Sequence, residues 1–263
     1  MYFESSCSFK KGDAMISNHV TPRTGSTAKN SFPLVNLHPS IIKKDAPSSF
    51  EGAIFDLDGT LIDSMGYWEN LGPTYLAARG KTPKPDAARK FKELTFEEAA
   101  VYMKEAYQLS ESADQIYNDI IGGIDEPYRS LIPLKPGVIN LLNALDKAGI
   151  RMCIATASKK EQVMPALERL GIRSYFYGIY TCSEVGASKS QPEVFEWAVQ
   201  EPGTPRASTV VFEDSLHAIK TAKQAGFPVI AVRERSAARD ASAIEKIADA
   251  VIDSFEDMSA AEA

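Results

Sequence analysis

Gly52 to Asp63, with the sequence GAIFDLDGTLID, limits what this chain can fold into more than any other stretch. It opens as a short apolar run, which reads as a buried strand of a parallel sheet. Two carboxylates one residue apart, Asp56 and Asp58, follow, and then Gly59-Thr60. A strand has a period of two, so both acids project to the same side as the strand runs out. Gly59 lets the backbone leave sharply. Acids at the carboxyl end of a strand lie where open α/β sheets bind ligands. Two such charges repel unless a cation sits between them. A hard cation such as Mg²⁺, which prefers carboxylate and carbonyl oxygens, suits the pair.

At 263 residues the chain can bury one good core and carry a smaller second domain. No apolar run approaches the roughly 18 residues that a membrane span needs. The formal charge of −6 argues against nucleic-acid binding, which wants a basic face. It gives an anionic substrate no long-range attraction, so any phosphate site must be made locally. Cys7, Cys153 and Cys182 are odd in number and lack metal-ligand spacing, and two of them fall in predicted strands. That usage suits a reducing, cytoplasmic location. His19 and His38 lie near the N-terminus, which leaves His217 and little scope for histidine-centred catalysis. Residues 1–50 are rich in Ser, Thr, Pro and Asn without periodicity and are expected to be disordered. Their basic, Ser-rich character has the flavour of an organelle transit peptide. A single Arg and the lack of an amphipathic pattern argue for an untargeted tail instead.

After Asp63, Ser64-Met65-Gly66 reads as a linker, and the pattern then turns helical. Trp68, Leu71, Tyr75 and Leu76 share a face, as do Phe96, Ala100, Met103 and Tyr107. Ile116, Ile120 and Ile121 mark another helix, stopped by Gly122-Gly123. Lys81 to Pro85 separates the first two, and Leu131 to Pro136 is a proline-stiffened return. So much helix after the first strand is too long for a loop. It is expected to be a helical cap domain, residues 66–132, inserted into a core formed by 51–65 and 133–255. From Gly137 helices and strands alternate: strands at Arg151–Ala155, Gly178–Cys182, Thr209–Phe212, Pro228–Val232 and Ala250–Ile252, with helices between them. Such βα units predict an α/β fold with a doubly wound, mostly parallel, Rossmann-like sheet.

Those units bring three more strand ends to the edge that carries Asp56 and Asp58. The first ends in Thr156-Ala157-Ser158, where a hydroxyl and backbone N–H groups can hold phosphate oxygens. Ser158 and Glu161 also have capping-box spacing. In the second, Lys189 just before a helix start is placed to offset the charge of a bound phosphoryl group. Ser190 and Glu193 again have capping-box spacing there, with Pro192 in the first turn. Gly186 to Ser190 echoes a phosphate-binding Walker A loop but lacks its spacing. The third, Val210 to Ser215, ends in Glu213-Asp214. Two adjacent acids there would repel without a cation, unless one caps the next helix. His217, one turn into that helix, reads as peripheral.

Taken together these segments resemble the haloacid dehalogenase superfamily of phosphohydrolases. Asp56-Leu57-Asp58-Gly59-Thr60 matches its first motif, and the apolar strand ending in Thr156 matches the second. Lys189 with Pro192 matches the third, in which Ser188 and Ser190 replace the usual Gly and first Pro. Glu213-Asp214-Ser215 matches the fourth. The resemblance covers about residues 52–253. It is nearest to the subgroup with a small helical cap after the first motif, including β-phosphoglucomutases, phosphoglycolate phosphatases and sugar-phosphate phosphatases. It implies an Mg²⁺-dependent phosphatase acting on a small phosphomonoester as a monomer. Asp56 would be the nucleophile that becomes an aspartyl-phosphate. Asp58 would be the general acid and then the base. Mg²⁺ would lie on the Asp56 carboxylate, the Asp58 carbonyl and Asp214, with Glu213 nearby or through water. Thr156 and Lys189 would hold the phosphoryl oxygens, with Ser158 a further substrate-binding residue. The cap would close over the site, hinged at Ser64-Met65-Gly66.

The resemblance leaves competing activities. A β-phosphoglucomutase-like phosphotransferase would carry a cap histidine at the position of Trp68, and residues 64–132 contain no histidine. Phosphonate cleavage would want a poised cap lysine, whereas Lys81, Lys84, Lys90, Lys92 and Lys104 read as a solvated face. Haloacid dehalogenation has no need of Asp58. A non-catalytic binding protein of the same fold would be expected to have lost Asp56, Asp58, Lys189 or Asp214, and all four are present.

Overall fold

The computed structural model describes residues 31–33, 43, 48–87, 90–91, 94 and 96–258. Disorder over 1–50 falls mostly outside these residues, but for part of the stretch the expectation is corrected. β1 (Phe32–Pro33) pairs antiparallel with β2 (Ser49–Phe50), Phe32 opposite Phe50. Both rings are buried 5.5 Å apart, and Phe50 reaches Phe212 at 6.4 Å. Burial of two large aromatic side chains outweighs the polar composition around them. A domain boundary at residue 50 would cut this ribbon.

The chain divides into two compact units, with Ser64–Ile132 forming the smaller. It contains α1 (Met65–Ala78), α2 (Phe96–Tyr107), α3 (Ala113–Gly122) and α4 (Asp125–Ser130). Leu71, Tyr75 and Leu76 of α1 are buried, as are Ala100, Met103 and Tyr107 of α2 and Ile116, Ile120 and Ile121 of α3. These are the apolar stripes that a 3.6-residue period requires. Arg79 binds Glu111 at 2.5 Å and Asp119 at 3.1 Å while stacking on the Tyr75 ring at 3.5 Å. Ser64-Met65-Gly66 is not a linker: Ser64 is the N-cap of α1, and Met65 and Gly66 form its first turn. One glycine costs a helix only about 1 kcal/mol, which burial of Leu71, Tyr75 and Leu76 exceeds.

The larger unit holds β3 (Gly52–Phe55), β4 (Arg151–Thr156), β5 (Phe176–Thr181), β6 (Thr209–Glu213), β7 (Val229–Val232) and β8 (Ala250–Ile252). They form a six-stranded sheet in the order β5-β4-β3-β6-β7-β8, with every pairing parallel. Its helices are α5 (Val138–Lys147), α6 (Lys160–Arg169), α7 (Cys182–Val185), α8 (Glu193–Gln200), α9 (Leu216–Gln224) and α10 (Ala241–Ile247). Along the central strands alternate residues serve opposite faces. Ile54, Cys153, Val211 and Val229 join a core with Phe195 of α8 and Ile219 of α9. Phe55 and Phe212 stack on each other 4.5 Å apart, with Phe255 against both. Cys182 opens α7 rather than ending a strand.

After β5 the chain crosses to the far side of β3 to begin β6, so the strand order reverses beside β3. Open α/β sheets bind ligands beside such a reversal, at the carboxyl ends of the strands. The two connections to the helical unit pair with each other inside the larger unit. Asp63 N donates to Pro133 O at 3.0 Å and Lys135 N to Leu61 O at 2.9 Å. Gly137, with φ of 80°, turns the returning chain into α5. A side chain there would run into the backbone of Phe255 and Glu256.

Candidate active site

β3 lies between β4 and β6, with Phe55 level with Ile154 and Phe212. Asp56 N donates to Phe212 O at 2.9 Å, carrying the ladder one residue further. The backbone then folds back: Leu61 N and Ile62 N both bond Leu57 O, and Gly59 N bonds Ile62 O. Gly59 has φ of 84°, a conformation glycine adopts without steric penalty. The strand and this turn bring Asp56 and Asp58 to the same edge but give them different neighbours.

Asp56, Glu213 and Asp214 form an acidic group in which one carboxylate oxygen from each lies within 4.8 Å of the others. Lys189 Nζ donates to Asp56 Oδ1 and, at 3.2 Å, to Glu213 Oε2. Asp56, Glu213, Asp214 and Lys189 are only 7, 1, 5 and 5% exposed, a depth at which charges are found only when paired. Three carboxylates facing one ammonium leave two negative charges uncompensated, the charge of one divalent cation. The protonation equilibria show the same shortage. Burial, then the Glu213 carboxylate, pushes Asp56 up from 3.8 to about 8, against the pull of Lys189. Burial, Glu213 and Asp56 hold Asp214 well above the carboxylate range. Burial opposes the charge on Lys189, but Asp56 and Glu213 outweigh it and hold the ammonium above its ordinary value. Retained protons and a retained ammonium both supply missing positive charge, and the all-oxygen donor set fits a hard divalent ion.

The carboxylate of Asp58 is engaged elsewhere. Ser158 Oγ donates to Asp58 Oδ2 at 2.7 Å, and Ser158 N donates to Thr156 Oγ1 at 3.1 Å. The Asp56 and Asp58 carboxylates therefore do not share one cation site, and the acidic group that could hold an ion is Asp56, Glu213 and Asp214. Thr156 is buried at the end of β4, beside Thr181 of β5. The capping boxes expected at Ser158 and Ser190 are also corrected. The N-caps of α6 and α8 are Lys159 and Pro192, so both serines fall before the cap. The capping box that forms is Thr181 with Glu184, ahead of α7.

Sequence reasoning passed over two hydroxyls. Thr60 Oγ1 donates to Asp214 Oδ1 at 3.3 Å across 154 residues, and Ser215 Oγ donates to Glu213 Oε1 at 2.6 Å. Both lie within the motifs, but only the fold gives them partners. His217, in the first turn of α9, has its imidazole pKa pushed down by burial.

The model of the haloacid dehalogenase-like hydrolase family matches residues 53–232. A phosphoglycolate phosphatase of Agrobacterium fabrum is 30% identical over 217 residues, covering 77% of this chain and 88% of that protein. A phosphorylated carbohydrates phosphatase of Thermotoga maritima is 24% identical over 176 residues, covering 67% and 82%. The crystal structure of CbbY from Rhodobacter sphaeroides in complex with phosphate shares the fold, with a TM-score of 0.66 and 24% identity, over 78% of this chain and 95% of that one. The chain belongs to the haloacid dehalogenase-like hydrolase family. It is an enzyme of that family's phosphatase class. No described helix is long and apolar enough to cross a membrane.

Proposed function

We propose that the protein is an Mg²⁺-dependent phosphatase that hydrolyses a small phosphomonoester, a sugar phosphate or similar, through an aspartyl-phosphate on Asp56. One observation carries the reading: buried Asp56 shares Lys189 with Glu213, while Asp58, two residues on, is held apart by Ser158. An Asp56 oxygen attacks phosphorus and takes the phosphoryl group. Asp58 gives its proton to the leaving oxygen, then accepts one from the water that cleaves the aspartyl-phosphate. Lys189 and Thr156 hold the transferring oxygens. The Asp56 and Asp214 carboxylates and the Asp58 backbone carbonyl would hold Mg²⁺, with Glu213 as a direct or water-mediated partner. When bound, the ion supplies positive charge against the phosphoryl oxygens and the buried acids.

The two phosphatases above support a small phosphorylated substrate, and the inserted helical unit is the part of the chain to which we assign its selection. Hydrolysis is favoured over a mutase reaction by Trp68, whose ring lies 5.6 Å from Phe96 and 6.3 Å from Tyr128 within that unit. Cys153 and Cys182 are free thiols, which suits a cytoplasmic enzyme. The test is phosphate release over a panel of phosphorylated metabolites, with Mg²⁺ or chelator, beside Asp56→Asn. Metal-dependent release that falls by about 10⁴-fold or more in the variant is expected. A folded protein with Mg²⁺ that releases phosphate from nothing would refute the reading.

A further inference from the structure

We propose that Ser158 is a positioning residue for Asp58: its hydroxyl fixes the carboxyl group in the orientation that protonates the leaving oxygen. The inference rests on the phosphatase reading above and replaces, for Ser158, the substrate-binding role that the resemblance implies. Asp56 and Asp58 have the same chemistry and sit two residues apart, yet they are to act as nucleophile and acid. Their identical side chains cannot make that distinction; their surroundings can. Asp56 sits in the acidic group with Lys189. Asp58 Oδ2 accepts a 2.7 Å hydrogen bond from Ser158, a residue 100 positions away. A carboxyl group so close to a cation-binding cluster would otherwise be free to rotate toward the metal, and as a metal ligand it could not carry a proton.

The anchor is rigid. Ser158 lies two residues past the end of β4, and its N–H is tied to Thr156 Oγ1 at 3.1 Å, with Thr156 only 1% exposed. β4 is paired in register with β3, from which Asp58 follows. The hydroxyl is therefore placed by the sheet itself. In the step served, the bond from Asp56 oxygen to phosphorus forms as the bond to the leaving oxygen breaks. The departing electron pair stays on that oxygen, which takes the Asp58 proton to give the alcohol and an Asp58 carboxylate.

Leaving-group dependence separates this role from the alternatives. An alkoxide needs the proton as it leaves, whereas p-nitrophenolate departs without it. The values of kcat/KM for Ser158→Ala, Ser158→Thr and wild type are to be compared on the best alkyl phosphate of the panel and on p-nitrophenyl phosphate. This parameter covers events only as far as Asp56 phosphorylation, so the later attack of water does not enter. For Ser158→Ala, a fall of about 30-fold on the alkyl substrate and less than about threefold on the aryl one is expected. Ser158→Thr, which keeps the hydroxyl, should stay within about threefold of wild type on both. Retained aryl turnover also shows that the variant is folded. Equal losses on both substrates would make Ser158 a phosphate ligand or a structural residue and overturn the proposal, as would no loss on either. A wild-type protein inactive on both would instead overturn the phosphatase reading, and this inference with it.

Discussion

Replacing Lys189 with Met removes the ammonium shared by Asp56 and Glu213 while keeping the length of an apolar side chain. Deleting one partner of a buried ion pair costs about 3–5 kcal/mol, because the other is left charged and unpaired. The low end, about 3 kcal/mol, applies at pH 7 without metal, where Asp56, at about 8, keeps its proton. The pH dependence then has a definite sign. The folded pKa of Asp56 lies above its unfolded value, so the stability tied to its proton is full below about pH 4 and is lost as the pH rises to about 8. Beyond that the wild type levels off. Lys189 lowers the pKa of Asp56, so without it the folded value climbs further and the variant goes on losing stability above pH 8. Its deficit should widen there by up to about 1.4 kcal/mol per pH unit. Urea denaturation of both proteins in chelator, followed by far-ultraviolet circular dichroism, gives the deficits. About 3 kcal/mol is expected at pH 7 and about 4 kcal/mol at pH 9. A deficit that stays constant or shrinks over that interval would refute the electrostatic account of the cluster.

On the proposed reading Mg²⁺ would displace the protons that burial keeps on Asp56 and Asp214, so its apparent affinity should rise from pH 6 to 8, by up to about tenfold per unit for each proton released. Calorimetric titration in buffers of different ionisation enthalpy would count those protons, and affinity independent of pH would contradict the assignment. Gly137→Ala forces a side chain into a left-handed conformation and against the backbone of Phe255 and Glu256. It should cost about 1–3 kcal/mol by urea denaturation, and a neutral substitution would show that this turn can relax.

The sheet was legible because its strands are short apolar runs, such as Ala53-Ile54-Phe55, and the helices between them stop at glycines, Gly149, Gly171 and Gly226. The three further strand ends were legible for the same reason: the βα alternation places Thr156, Lys189 and Glu213-Asp214 on the edge that carries Asp56. Local patterns misled where two readings shared one spacing. Ser158 with Glu161 and Ser190 with Glu193 have the separation of a capping box, yet each helix starts beyond its serine. Ser64-Met65-Gly66 has the composition of a linker, but the apolar face that follows recruits it into α1. The polar leader hid Phe32, whose burial depends on Phe50 and so on the ribbon they form together.

The sequence by itself determined the order of elements and the residue types at the strand ends, because hydrophobic period and turn chemistry are local properties. Only the tertiary structure decided which acid faces which partner. Asp56 and Asp58 are equivalent as written, and they separate when Lys189 is drawn to one and Ser158 to the other across 133 and 100 residues. Hydrogen bonds and buried charges depend on distances of a few ångströms, and no spacing along the chain sets those until the sheet has closed.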